Sequence, residues 1–234
     1  MQEYRIEFAG QTEVENGLYV TKRPNIPVSM ERFESISIPG RDGNIYISEE
    51  TREDIEIEIE FNFMNAPECW FDTFRKAKSW LLKSGRHILV LGDNVDFFYI
   101  VKKVSIDTVE RVCYEIGKFS ATFVCVGYEY VKRGRDEYSA GEVIYNPYCT
   151  SHPTYKIAGE GICTLSVNGN RMKANVGQNI TIDTELMEAY REDGVLQNTE
   201  VSGDFEGLYL KQGENMIEIS EGFLLKVIPN WRCV

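Results

Sequence analysis

A catalytic or metal centre in this 234-residue chain would have to be built from two histidines, His87 and His152, and six cysteines, Cys69, Cys113, Cys125, Cys149, Cys163 and Cys233. A general base needs a group to orient it and a proton within reach. His87 adjoins a strand six residues before Asp93, and His152 precedes Pro153, so neither stands in such a pattern. Metal sites usually place two ligands within about five residues of each other. The cysteines are scattered without that spacing and read as small buried apolar residues of a reducing cytoplasm, with neither zinc nor disulfide. Asp93 and Asp96 lack the remaining ligands of a calcium loop. No nucleophile elbow, phosphate-cradling glycine loop or paired-histidine motif occurs, and Gly159-Glu160-Gly161 is a bend between strands. The residues therefore predict no catalytic group, no cofactor, no metal and no enzymatic activity.

What remains is surface chemistry. Glu56, Glu58 and Glu60 line one side of an alternating segment, where they could meet a basic partner or could be a solvated sheet face. Pro39-Gly40-Arg41-Asp42-Gly43 is a tight turn carrying one cation. Trp231 and Arg232 could form a ligand platform or the closing strand of a core. The formal net charge of −12 is shared between both halves of the chain and disfavours nucleic acid, whose binders concentrate Lys and Arg on one face. No segment approaches the roughly 18 consecutive apolar residues of a membrane helix, and the polar Met-Gln-Glu-Tyr-Arg start is not that of a signal peptide, which predicts synthesis and folding in the cytoplasm.

The element that must organise the first half is a helix over Asn65–Gly85, its body at residues 66–84. Asn65 can cap it, Pro67 and Glu68 suit its first turn, and Gly85 suits its end. Trp70, Phe74, Ala77 and Leu81 form an apolar stripe at helical spacing, with Phe71 beside it. Around it the chain reads as strands. Ile55, Ile57, Ile59, Phe61 and Phe63 alternate with Asp54, Glu56, Glu58, Glu60 and Asn62, the pattern of a strand with one buried face. Two prolines in Arg23–Pro27 make a rigid loop or sheet edge. Ile88–Leu91 and Phe97–Val104 flank Gly92-Asp93-Asn94 as a hairpin, and Arg111–Ile116 pairs with Lys118–Tyr130, which buries Phe119, Ala121, Phe123 and Cys125. Lys132–Gly141 reads as a linker. Beyond it, Asn168-Gly169-Asn170 makes a hairpin turn, and Met216–Ser220 is expected to pair with Phe223–Ile228. The expectation is a mainly β protein: residues 1–140 form a β domain with one helix, and residues 141–234 a β-sandwich or jelly roll.

The order of these motifs resembles the distal tail proteins of siphophages. It runs Arg23-Pro24-Asn25-Ile26-Pro27, Ile38-Pro39-Gly40-Arg41-Asp42-Gly43, the Ile55–Phe63 strand, Trp80-Leu81-Leu82, Asp96-Phe97-Phe98-Tyr99, Gly117-Lys118-Phe119 and Tyr128-Glu129-Tyr130. It continues through Asn146, Pro153-Thr154-Tyr155-Lys156-Ile157, Asn168-Gly169, Ile182-Asp183, Gly213-Glu214-Asn215 and Pro229-Asn230-Trp231-Arg232. The resemblance implies a barrel-like ring-forming N-terminal domain and a galectin-like C-terminal sandwich, whose last strand could pack back on the first domain. It implies a hexameric ring at the virion tail tip, joining the tail tube protein to the tail-tip hub or tail-associated lysin, with a receptor-binding protein as a further partner. Phage-tail-like bacteriocins and prophages use the same part. Under this reading the subunit contacts fall on Pro39, Gly40, Arg41, Asp42 and Gly43, and on Glu56, Glu58 and Glu60. The competing reading is a carbohydrate-binding protein that recognises host cell-wall glycans through the C-terminal sandwich, which an exposed aromatic pair there would support.

Overall fold

The computed structural model describes residues 4–139 and 143–234. The fold is mainly β, and among the described residues Trp70–Leu81 is its one α-helix. Contacts divide the chain into two compact units, Met1–Glu129 with Val234, and Tyr130–Cys233. The expected domain boundary, between residues 140 and 141, lies outside the described residues.

In the first unit the alternating segment forms the strand Ile55–Met64, and its five inward residues, Ile55 to Phe63, are buried. It pairs antiparallel with Ile116–Val131 over ten residues, from Ile55 opposite Cys125 to Met64 opposite Ile116. This differs from the local pairing expected for the second strand. Only Glu110–Arg111 pairs locally, with Gly117 and Lys118, because the apolar face of Ile55–Met64 matches that of Ile116–Val131 as far as Cys125. The sheet runs, in order, Gln11–Thr12, Ile6–Phe8, His87–Leu91, Phe97–Ile106, Ile116–Val131, Ile55–Met64 and Tyr19–Val20. Gly117 is where Phe63 crosses the backbone: a Cβ there would lie 2.3 Å from the Phe63 ring.

The helix covers the apolar face of this sheet, but its register and ends differ from expectation. Pro67–Cys69 form a tight 3-10 turn, and the α-helix spans Trp70–Leu81, not 66–84. Asn65 does not cap it. Its side chain accepts from Ala66 N–H at 2.8 Å and donates to the Thr73 hydroxyl at 2.8 Å. The last turn closes through Leu82 N–H to the Lys78 carbonyl, short of Gly85. Trp70, Ala77 and Leu81 are buried as the spacing predicts, whereas Phe74 is only half-buried. The deepest anchor is Trp80, whose indole N–H donates to the Phe8 carbonyl at 3.0 Å and whose ring meets Phe8 and Phe61 edge-on at 5.9 and 6.3 Å. Phe63 packs on Trp70 and Phe74, and Phe74 on Phe119.

The second unit is built on one long hairpin. Thr154–Val167 pairs with Asn170–Asp183 along fourteen residues, around Asn168 and Gly169 with φ of 51° and 86°, the left-handed pair that a two-residue turn requires. Tyr155, Ile157, Cys163, Leu165 and Val167 face inward against Met172, Ala174, Val176, Ile180 and Ile182. Ile217–Ile219 and Leu224–Ile228 do not pair with each other as expected; both lie along the same edge of Thr154–Val167. Between them the chain bows outward, the Ser220 hydroxyl accepts from Thr164 N–H at 2.9 Å, and the Phe223 ring sits over Gly159, where a Cβ would be 2.4 Å away. Ile144–Asn146 and Gly213–Asn215 form a separate two-stranded ladder. Much of the expected linker is built structure. Lys132–Arg135 is a 3-10 turn with Gly134 buried against Trp231, and Tyr138–Ser139 pairs with Leu224–Ile228. The rest, residues 140–141, lies outside the described residues.

Truncating a buried aromatic residue costs about 3–5 kcal/mol, whereas exposed substitutions stay within roughly 0.5 kcal/mol. Trp80→Ala is therefore expected to unfold the first unit or strip most of its stability, while Phe71→Ala, at a side chain 56% exposed, leaves the denaturant midpoint nearly unchanged. Equal midpoints for the two variants would refute the packing.

Candidate interaction surfaces

The expected turn at Pro39–Gly43 is the tip of a two-stranded arm formed by Glu31–Ser37 and Asn44–Arg52. The register runs from Glu31 opposite Arg52 to Ser37 opposite Asn44, with an irregularity between Glu31 and Phe33. Gly40 and Gly43 have φ of 82° and 79°, and Arg41 N–H donates to the Ile38 carbonyl at 3.1 Å. The base is tied by Arg52, whose guanidinium donates to the Ser29 carbonyl at 2.8 Å, and by Glu53 N–H to the Met30 carbonyl. In this arm Phe33 and Tyr46 share one face with serines, and Ile36, Ile45 and Ile47 share the other. Phe33 is 51% exposed, Tyr46 66% and Ile47 49%. A lone hairpin is marginal in water and normally buries one face, yet this one buries neither. The tip is legible in the sequence, and Asn44–Arg52 is the strand that was not read, although Ile45 and Ile47 alternate about Tyr46.

The acidic ladder divides. Glu56 and Glu58 are exposed, while Glu60 is held by Lys22 and, at 3.0 Å, by Lys118. Hydrogen bonds from Lys22 and then Lys118 pull its carboxyl down to about 2. Of the three, Glu60 is therefore already spent within its own chain. In the second unit, Glu137 is held down to about 2 in the same way by Lys156 and Lys226.

His152 is also committed. A guanidinium N–H of the buried Arg232 lies 2.8 Å from Nε2, which makes that nitrogen the acceptor and leaves the proton on Nδ1, 3.5 Å from Glu185. The imidazole stacks on Tyr209 at 4.0 Å. Arg232 also donates to the Thr150 carbonyl at 2.8 Å, and Trp231 packs on Tyr138 and Tyr148. Of the two readings of Trp231 and Arg232, the structure selects the closing segment of the core. A polar cleft of about 400 Å³ is lined by Gly177, Gln178, Asn179, Arg191, Glu192 and Asp193, with no aromatic side chain among them. His87 rests its Nε2 2.9 Å from the Ser84 carbonyl.

Two measurements check this picture. A carboxylate whose folded value lies below its unfolded one stabilises the fold above the unfolded value and loses that contribution as pH falls. The stability difference between the native chain and Glu60→Gln is therefore expected to be constant above about pH 5 and to vanish between about 4.5 and 2. A difference that persists at the lower limit would show that the lysine pairs are not formed. Among the thiols, Cys69 and Cys113 are exposed, whereas Cys125 and Cys163 are buried, and burial pushes Cys125 up to about 12. An aromatic disulfide reagent is expected to titrate the first two at once and the last two only after unfolding.

No family model matches the sequence, and no curated protein matches it significantly. The fold does have a solved counterpart. The crystal structure of Dit (gp 19.1) of phage SPP1, described as a paradigm of the hub adsorption apparatus in phages that infect Gram-positive bacteria, matches over 100% of both chains with a TM-score of 0.73 and 12% identity. With a match over that full length, this chain has the fold of a siphophage distal tail protein.

Proposed function

We propose that the chain is a structural, non-enzymatic component of a phage tail tip, and that copies of it form a closed six-membered ring through the first unit. The ring would join the tail tube to the tail-tip hub, with the second unit directed to peripheral partners such as a receptor-binding protein. The observation that carries this reading is the arm. A ring needs each copy to offer two different complementary surfaces, in a repeated contact whose rotation closes, and an arm with apolar side chains on both faces has no use for them within its own chain. The tip residues Pro39–Gly43 reach towards a neighbour, with Arg41 placed to meet an acidic one, for which the exposed Glu56 and Glu58 are suited. The polar cleft of the second unit has no aromatic side chain, and a larger one of about 850 Å³ has only Phe223, whose ring is taken up over Gly159. Neither offers an aromatic pair for a sugar ring, so glycan binding is the weaker reading.

The test is the mass of the purified protein in solution together with the effect of the arm. Phe33→Ser with Tyr46→Ser leaves exposed positions on a peripheral hairpin, so each unit should keep its stability. Loss of a central aromatic contact costs about 2 kcal/mol or more, roughly 30-fold in Kd per contact. The double variant should therefore move the protein from ring to monomer, and Arg41→Glu should weaken assembly by a smaller factor. A ring that forms equally well in the double variant would remove the arm from the contact. A native chain that stays monomeric in solution and absent from particles would end the reading.

A further inference from the structure

A second unpartnered apolar surface lies at the other end of the first unit. Met64, Phe71, Val112 and Tyr114 are 69%, 56%, 57% and 79% exposed. They belong to one place. Met64 pairs with Ile116, Asn65 N–H donates to the Glu115 carbonyl at 3.0 Å, and the Phe71 ring lies 5.0 Å from Trp70. Arg111 is fixed among them: its guanidinium sits 5.1 Å from the Trp70 ring centre and 5.8 Å from that of Tyr114, and it donates to the Tyr114 carbonyl at 2.7 Å. With both aromatic rings held by one cation, the patch is a preformed platform.

Its surroundings say what would cover it. The exposed carboxylates Glu68, Glu110 and Glu115 border the patch and have no ion pair among the described residues. Arg75 is spent on Asp72 and Lys118 on Glu60, and Arg111 is held by two rings and a carbonyl, so three carboxylates stand against this one cation. Two patches of this kind meeting face to face would oppose their own acidic borders. The arm of a second copy is also a poor occupant. It springs from Arg52, at the start of Ile55–Met64, whereas the patch lies at Met64, roughly 30 Å further along the strand. The arm is itself acidic, with Glu31, Glu34, Asp42, Glu49 and Glu50 against Arg32, Arg41 and Arg52, so it too would bring like charge to the acidic border of the patch. We infer that this end of the first unit docks a different protein of the assembly, one that presents apolar side chains bracketed by Lys or Arg. The inference rests on the tail-tip reading for the existence of such an assembly, and on the patch for where the contact falls.

Two native thiols report on it, because Cys69 precedes Trp70, Cys113 lies between Val112 and Tyr114, and both are exposed. Iodoacetamide labelling of each cysteine would be followed by peptide mass spectrometry, in the purified protein and in purified tail particles. Labelling of Cys69 and Cys113 should be roughly tenfold slower in particles, since reaction needs an accessible thiolate. Phe71→Ser with Tyr114→Ser, and separately Glu110→Lys with Glu115→Lys, should leave the mass in solution unchanged and cut incorporation into particles by a similar factor. Equal labelling in protein and particle, or normal incorporation of both variants, overturns the inference and leaves the tail-tip reading intact. Protection already present in the purified assembly identifies a second copy as the occupant and also overturns it. A chain absent from particles fails the tail-tip reading itself, and this inference with it.

Discussion

The structure of the first unit depends on the burial of Trp80 between the helix and the sheet. The indole reaches across to the Phe8 carbonyl, so one side chain ties the helix to a strand 72 residues earlier and also fills the space between Phe8 and Phe61. A buried indole N–H without an acceptor would cost roughly 1–3 kcal/mol, so the hydrogen bond matters as much as the area covered. It fixes which face of the helix looks inward, and this explains why Phe74 sits half out while Trp80 takes the deep position.

The periodicities that were strong in the sequence became strong elements. The Ile55–Phe63 alternation is a strand with one buried face, and Asn168-Gly169 is a two-residue turn. What stayed hidden depended on partners distant in the chain. No local signal tells Ile116–Val131 to pair with Ile55–Met64, because the information is the match of two apolar faces some sixty residues apart. The helix ends were misplaced because Pro67 favours a tight turn before the helix proper, and Asn65 uses its side chain on its own neighbour and on Thr73. The two strands after Met216 have the local look of a hairpin, but the long strand beside them offers a more extensive edge.

The surfaces were less legible than the fold. Arg41 and its turn were visible in sequence, yet the exposure of the strands behind them was not, since Ile36, Ile45 and Ile47 look like core residues until the arm is seen to lack a layer beneath it. Glu60 shows the opposite error. It reads as one member of an acidic face, but Lys22 and Lys118 claim it, and neither is its neighbour in sequence. The same holds for His152, which becomes unavailable as a base only once Arg232 is placed against its ring.

The two units also differ in how their chains must close, and this bears on the time each needs to fold. The long hairpin of the second unit zips outward from Asn168 and Gly169, so each pair of residues added is close along the chain. The first unit has local hairpins, but its central ladder has no such start. Its central ladder joins Ile55–Met64 to Ile116–Val131 with the helix and another hairpin in between, and the entropy of closing that large loop precedes any reward from the ladder. During synthesis, residues 55–64 must therefore wait for their partner to emerge, with the apolar residues of the strand and of the arm exposed together. The second unit, though made later, is the one whose topology favours rapid closure.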